Sequence, residues 1–349
     1  MYRIWGLLLG TLFCCIVYCQ PKQSYKIAIV AFYNCENFYD TLNDPLSNDD
    51  EFTPAGDKNY NSAVYYDKVS KLASVIARIG TDTKPENADG PALLGVSEIE
   101  NASVLKDLIH HPLLIKRGYK IVHYEGKDAR GIEVALLYNP KYFIVENSRP
   151  LFVKLPGYYY TRDILWVKGK LDGETIHIYV NHWPSRLGGE ERSAPLRAIA
   201  AMVCKKHMDS IFRADGEQKV IIMGDMNDDP VSPSITKVLM AKEEIKKVKR
   251  FGLYNPWTNL YKKGFGTLAY RDAWGLFDQI MISRPWIQKD QSGFFFYQQH
   301  VFNRNFITEN NGRYRGYPMR SWDGNIYQGG YSDHFPVYLV LLKKNMTSL

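Results

Sequence analysis

The strongest constraint in this chain is a pattern of strand endings. Five short segments, far apart, each close a hydrophobic, strand-like run with an acid, an amide or an imidazole. They read Ala31-Phe-Tyr-Asn-Cys-Glu-Asn37, Gly95-Val-Ser-Glu-Ile-Glu100, Tyr179-Val-Asn-His-Trp-Pro-Ser-Arg186, Ile222-Met-Gly-Asp-Met-Asn227 and Ser332-Asp-His-Phe-Pro336. Any one alone reads as an ordinary turn or helix cap. Five in this order imply one divalent-metal site assembled from strand ends, with hydrolysis of a phosphate ester as the leading reaction.

That reaction needs a hard cation held by carboxylate and amide oxygens, a base for water, and donors for the charge that develops. The segments supply these parts. Acids stand at Glu98, Asp225 and Asp333, amides at Asn34 and Asn227, and imidazoles at His182 and His334. Arg130 sits just before a strand, within reach of a phosphate, and Arg186 and Arg197 are further candidates for lining the cleft.

The remaining pattern is a mixture of strands and helices. Lys26–Tyr33, Ala92–Val96, Ile132–Tyr138, Tyr142–Glu146, Ile164–Leu171, Thr175–Asn181, Val220–Met223, Phe277–Ser283 and Val337–Leu342 are rich in β-branched, aliphatic and aromatic residues. Asp172-Gly173 marks a hairpin, because Asp-Gly suits a turn with positive φ. Apolar residues recur at helical spacing from Val64 to Ile79, and further helices are predicted over Pro195–Phe212 and near Ser234–Met240. Two groups of strands with interspersed helices imply two packed sheets flanked by helices, with loops at one edge. Residues 241–277 and 285–331 lack periodicity and read as long functional walls or lids.

The first residues form a separate object. Arg3 is the only charge before Lys22, and Leu7–Tyr18 is an apolar run of signal-peptide length. The expectation is a signal segment over residues 1–20, one catalytic domain over 21–349, and export to the periplasm or outside the cell. A lipid anchor on Cys19 and an uncleaved N-terminal anchor are the alternatives. Removing residues 1–20 takes one arginine and three of five cysteines, so net charge falls from +7 to +6 and Cys35 and Cys204 remain. Two cysteines cannot make a disulfide scaffold, so a large core must stabilise the chain. The mild positive charge suits an anionic substrate.

The order Asn34, Glu98, His182, Asp225-Met-Asn227, Asp333-His334 resembles the endonuclease/exonuclease/phosphatase superfamily, from about Lys26 to Leu342. Gly224-Asp225-Met-Asn227 and Ser332-Asp333-His334 are the most specific parts of that resemblance. It implies a DNase I-like four-layer α/β/β/α sandwich of two mainly antiparallel sheets, and dependence on Mg²⁺, with Mn²⁺ or Ca²⁺ as alternatives. It further implies Glu98 as principal metal ligand, assisted by Asn34 and Asp333, and His334 as the base for water, fixed by Asp278. Asp225 and Asn227 take the role of positioning nucleophile and phosphate, and His182 that of binding phosphate or leaving group. His182-Trp-Pro-Ser-Arg186 with Gly188-Gly189 looks like a secreted-nuclease branch, whose partner is nucleic acid.

Two departures count against an inositol-phosphate phosphatase: Asn227 is followed by Asp228-Asp229-Pro230, and Trp274 by Gly-Leu-Phe-Asp-Gln. A sphingomyelinase-like phosphodiesterase lacks a convincing apolar docking hairpin here. A binding protein that lost its chemistry is the rival of another class, opposed by the presence of every motif residue. The segment from Arg304 to Tyr331 interleaves arginines with aromatics, which suits polynucleotide contacts or a loop packing its own rings.

Overall fold

The computed structural model describes residues 24–83, 87–157, 160–288 and 293–345; the expected signal segment lies outside them. Its strands, in chain order, begin with β1 (Tyr25–Phe38), β2 (Pro91–Ile99), β3 (Lys120–His123), β4 (Glu133–Tyr138) and β5 (Phe143–Leu151). They continue with β6 (Ile164–Leu171), β7 (Glu174–His182), β8 (Lys219–Asp225), β9 (Leu253–Tyr254), β10 (Leu268–Tyr270) and β11 (Ala273–Gly275). The last are β12 (Asp278–Ser283), β13 (Phe295–Val301), β14 (Trp322–Asp323), β15 (Ile326–Tyr327) and β16 (Val337–Lys344). The helices are α1 (Ser62–Ile76), α2 (Ala102–His110), α3 (Glu190–Ala214) and the single turn α4 (Thr258–Lys262).

Two six-stranded sheets face each other. One has the order β13-β16-β1-β2-β4-β3 and the other β5-β6-β7-β8-β12-β9. Residue alternation along β1 explains the layering, because successive side chains point to opposite faces. Ala28, Val30 and Phe32 join the core between the sheets, together with Val167, Ile178, Val180, Ile221 and Met223. Ile27, Ile29, Ala31 and Tyr33 face outward against Leu72 and Ile76 of α1 and Leu105 of α2. On the far side, Tyr179, Val220 and Ile222 pack against Ala200, Cys204 and Met208 of α3. The arrangement is the expected α/β/β/α sandwich.

Each sheet contains one parallel pair, β1 with β2 and β7 with β8, and its other pairings are antiparallel. Parallel neighbours need a long crossover, and α1 and α3 provide the two. As a result the C-terminal ends of four central strands, two from each sheet, come to one edge of the sandwich. The Asp172-Gly173 hairpin forms as expected: Leu171 pairs with Glu174, and both turn residues have positive φ (50° and 90°).

Three local expectations are corrected. The predicted helix near Ser234–Met240 is one π-type turn, Ser234–Val238. The segment 285–331 is not all loop, since β13 lies at the edge of a sheet against β16. Its Gln298, Gln299 and His300 face partly outward, which masks the strand pattern. Residues 241–277 contain β9, α4 and the β10–β11 hairpin.

Candidate active site

The candidate site is built where the parallel strands stop. Asn34 and Glu98 end the regular parts of β1 and β2, and His182 and Asp225 are register partners at the ends of β7 and β8. The antiparallel neighbours arrive from the opposite direction. Asp278 opens β12 directly opposite Asp225, and His334 precedes β16.

The backbone bends to aim these groups. The β1–β2 register shifts between Asn34 and Phe38, and the β2–β4 register between Ser97 and Ile99. Such bulges re-aim side chains at the end of a sheet. Glu36, Asn37, Glu98 and Asn227 all sit in the left-handed region, with φ of 47°, 51°, 56° and 48°. Left-handed backbone outside glycine costs energy and gathers at functional sites. Gly224 has a steric reason: a Cβ there would lie 2.3 Å from the Asn181 carbonyl oxygen.

Asp225 is the hub. Its Oδ1 accepts from Asn227 N at 2.8 Å and its Oδ2 from Asn34 Nδ2 at 3.1 Å. That same Oδ2 lies 3.7 Å from His182 Nε2 and 4.0 Å from His334 Nε2. Glu98 Oε1 accepts from Asn34 Nδ2 (3.3 Å) and stands 3.8 Å from His182 Nε2 and 3.9 Å from the Arg130 guanidinium. Asn37 N holds the other Glu98 oxygen at 3.0 Å. Asn34 therefore turns its amide nitrogen, not its oxygen, toward the acids and bridges them, while its oxygen accepts from Glu36 N.

His334 is oriented through Nδ1, which donates to Asp278 Oδ2 at 2.7 Å, so Nε2 faces the cleft. Burial opposes a charge on His334, yet the Asp278 carboxylate, with Asp333 and Asp225 behind it, holds the imidazole well above its ordinary value. His182 is the opposite case. Burial, reinforced by the Arg162 and Arg130 charges, holds it well below the usual range and keeps it neutral. Burial pushes the Asp225 carboxyl up to about 7 against the pull of His334. Burial also works to raise Glu98, but Arg130, His334 and the bonds from Asn37 and Asn34 keep it below the ordinary value.

Oxygens of Asp225 and Asp278 and a nitrogen of His334 lie within 4.8 Å of one another, close enough to hold a metal ion. This buried group, with Glu98 beside it, offers hard oxygen donors and imidazole and no thiolate, which suits a hard or borderline divalent cation. The expected Glu98, Asn34 and Asp333 set is not brought together in the same way. Asp333 is half-exposed at the rim, paired with Arg320 at 3.7 Å.

Of the three arginines expected in the cleft, only Arg130 points into it. Arg186 is corrected to a strut: it donates to Asn227 O (2.9 Å), pairs with Asp229 (3.0 Å) and Glu190 (2.8 Å), and lies over the Phe277 ring. Arg197 is fully buried, paired with Asp228 at 2.6 Å. Cys35 is a buried thiol whose pKa burial pushes up to about 12, so it is no nucleophile.

Two contributors make contacts that the sequence does not reveal, although Ser332 itself lies in the Ser332-Asp333-His334 motif. Ser332 donates its hydroxyl to Asn34 O (2.7 Å) and accepts from His334 N (3.1 Å), joining the first motif to the last. Arg162 bridges Asp128 (3.1 Å) and Trp183 O (2.6 Å) behind His182.

Comparison with known proteins agrees with this fold. No curated protein matches the chain by sequence. Among solved structures, an endonuclease/exonuclease/phosphatase family protein from Bacteroides thetaiotaomicron is similar, with TM-score 0.55 and 16% identity over 94% of this chain and 98% of that one. D. rerio TDP2 complexed with a single-strand DNA product gives 0.54 and 14% over 90% and 98%. The mannosyl-6-phosphatase of B. thetaiotaomicron gives 0.54 and 17% over 90% and 99%. These likenesses support the fold. Residues 29–343 match the Endonuclease/Exonuclease/phosphatase family, so the chain belongs to that family and is a metal-dependent phosphoester hydrolase.

Proposed function

We propose that this protein is an exported nuclease that hydrolyses phosphodiester bonds of nucleic acid with Mg²⁺ or Mn²⁺. Residues 21–349 act as one catalytic domain after loss of residues 1–20. The observation that carries the reading is the convergence of Asp225, the His334–Asp278 pair and Arg130 on one open edge, beside the arginine- and aromatic-rich segment that contains Arg313, Tyr314 and Arg320. The D. rerio TDP2 structure holds single-strand DNA on a similar fold, which is consistent with a polynucleotide substrate.

Each residue has a separable task. Arg130 supplies a cation to a non-bridging phosphate oxygen. His182, kept neutral, donates Nε2–H to a phosphate oxygen. His334 presents Nε2 to the attacking water, and Asp278 stabilises the imidazolium left after proton transfer. Asn34 and Asn227 hold the acids in register. Glu98, Asp225 and Asp278 would hold a divalent cation, which when bound would supply charge neutralisation to the phosphate.

A second reading is hydrolysis of a small sugar-phosphate ester. It is favoured by a cavity of about 430 Å³ at the rim, large enough for the sugar of a phosphate ester whose phosphate lies at the edge. The test is cleavage of supercoiled plasmid, single-stranded DNA and single-stranded RNA by the purified protein, with Mg²⁺ or with EDTA, beside His334→Ala. Metal-dependent cleavage lost in the mutant supports the nuclease. Hydrolysis confined to sugar phosphates, with every polymer intact, selects the second reading.

A further inference from the structure

The cavity at the rim is not used by the chemistry described above. It lies between the β10–β11 hairpin and the loop that follows β13, and Asp333 forms part of its wall. It is tied to the catalytic loop. Phe335 N, next to His334, donates to Thr267 O at 2.7 Å, and the Phe335 ring stacks on Trp274 of β11 with planes 11° apart. Tyr317 meets Trp274 edge-on at 5.6 Å. Arg320 reaches Asp333 Oδ2 at 3.7 Å. The cavity wall is therefore held in a fixed relation to the loop that carries His334.

The lining indicates which chemistry fits. Arg271, Arg313 and Arg320 are matched by Glu309, Asp323 and Asp333. Three cations against three carboxylates leave no net charge, so a second phosphate gains little here. What remains is flat and amphipathic. Tyr270 and Tyr314 are 70% and 52% exposed at the cavity, unusually open for large rings. Each carries a guanidinium over its face, Arg271 at 5.2 Å and Arg313 at 5.8 Å. Aromatic and guanidinium planes are the surfaces on which unpaired bases stack. The carboxylates and Gln328 offer donors and acceptors of both kinds to the edge of a base.

We propose that this cavity receives one unpaired nucleobase next to the scissile phosphate, which makes single strands, loops and frayed ends the substrate and excludes intact duplex. The inference rests on the nuclease reading above. A base inside a duplex is stacked and paired, and withdrawing it costs a few kcal/mol. A free strand offers the same base without that cost. Tyr270 and Tyr314 are therefore specificity-determining residues.

The experiment uses the Mg²⁺-loaded protein with three substrates of one sequence: a single-stranded oligonucleotide, its blunt duplex, and a single strand with abasic sites flanking the cleavage point. The expected result is a KM for the base-bearing strand roughly tenfold or more below that of the other two, in line with the stacking energy of one base. Tyr270→Ala and Tyr314→Ala each raise that KM about tenfold with kcat within threefold, and Tyr314→Phe restores it. The abasic strand, having nothing to stack, responds to neither substitution. Equal KM for duplex and single strand, or a KM indifferent to both substitutions, overturns the inference while leaving the nuclease in place. No cleavage of any nucleic acid, with sugar phosphates still hydrolysed, overturns both.

Discussion

The candidate catalytic edge and the rim wall lie side by side and are built on opposite physical terms. At the edge, Asp225, Asp278, His182 and His334 are each less than one-tenth exposed and gather beside left-handed backbone turns, with His334 hydrogen-bonded to Asp278. At the wall, Tyr270, Tyr314 and Arg320 project from short strands and loops with large exposed faces. The edge must hold charged groups in fixed positions before substrate arrives, because preorganised electrostatics are what accelerate the chemical step. The wall needs only to offer surfaces. Substitutions at the edge should therefore act on turnover or on folding, and substitutions at the wall on apparent affinity.

The largest effect is expected at Asp278. Asp278→Asn keeps the shape but replaces the carboxylate that orients Nδ1 of His334 and stabilises its charged form. Turnover should fall by roughly 10²–10⁴-fold, the usual weight of a positioned acid–base group, with KM little changed. Steady-state kinetics at saturating Mg²⁺ measure this. A kcat within a factor of a few of the parent would remove the dyad from the mechanism.

Legibility in the sequence follows the same division. Strand ends declare themselves because a hydrophobic run stops at a polar residue whose type is chemically restricted, and Glu98, His182 and Asp225 carry that mark, whereas His334 precedes β16 and is legible only through its Ser332-Asp333-His334 motif. The sandwich is legible for a related reason, since β1 alternates between two buried faces. Arg186 and Arg197 mislead because a guanidinium suits a phosphate and an internal strut equally well. The hint was the pair of acids at Asp228 and Asp229, which capture both. Ser332 is visible in its motif, but its contact is not, because its partner, Asn34 O, lies 298 residues away. β13 is hidden by its polar edge face and by a register shift between Phe296 and Gln298.

Edge and wall meet at Lys68, a fully buried lysine on α1 that no motif includes. Its ammonium donates to Ser321 Oγ and to Tyr331 O (2.9 Å) and lies 4.0 Å from Glu36. Glu36 in turn accepts from Ser321 N at 2.6 Å. Burial lowers the Lys68 pKa and pushes Glu36 up to about 7, so each needs the other. Lys68→Met should lower stability by about 3–5 kcal/mol, because it strands a buried acid. Lys68→Met combined with Glu36→Gln should recover much of that loss. Urea unfolding of the two variants decides the matter, and equal losses in single and double mutants would show that the pair is not coupled.

A smaller effect tests whether the edge trades stability for acids. Glu133 opens β4 at the same end of the sandwich and is 4% exposed. Burial, with Asp128, Asp163 and Glu125 nearby, pushes its carboxyl from the ordinary 4.5 up to about 8. The folded chain then binds an extra proton between those two values, so stability is full below about 4.5 and falls as pH rises toward 8. Glu133→Gln removes a group that must ionise in a buried site. It should leave stability unchanged near pH 5 and raise it by on the order of 2 kcal/mol near pH 8. The measurement is the urea midpoint of parent and variant at the two pH values. A gain at pH 5 as large as at pH 8 would mean that packing, and not the ionisation of Glu133, sets the difference.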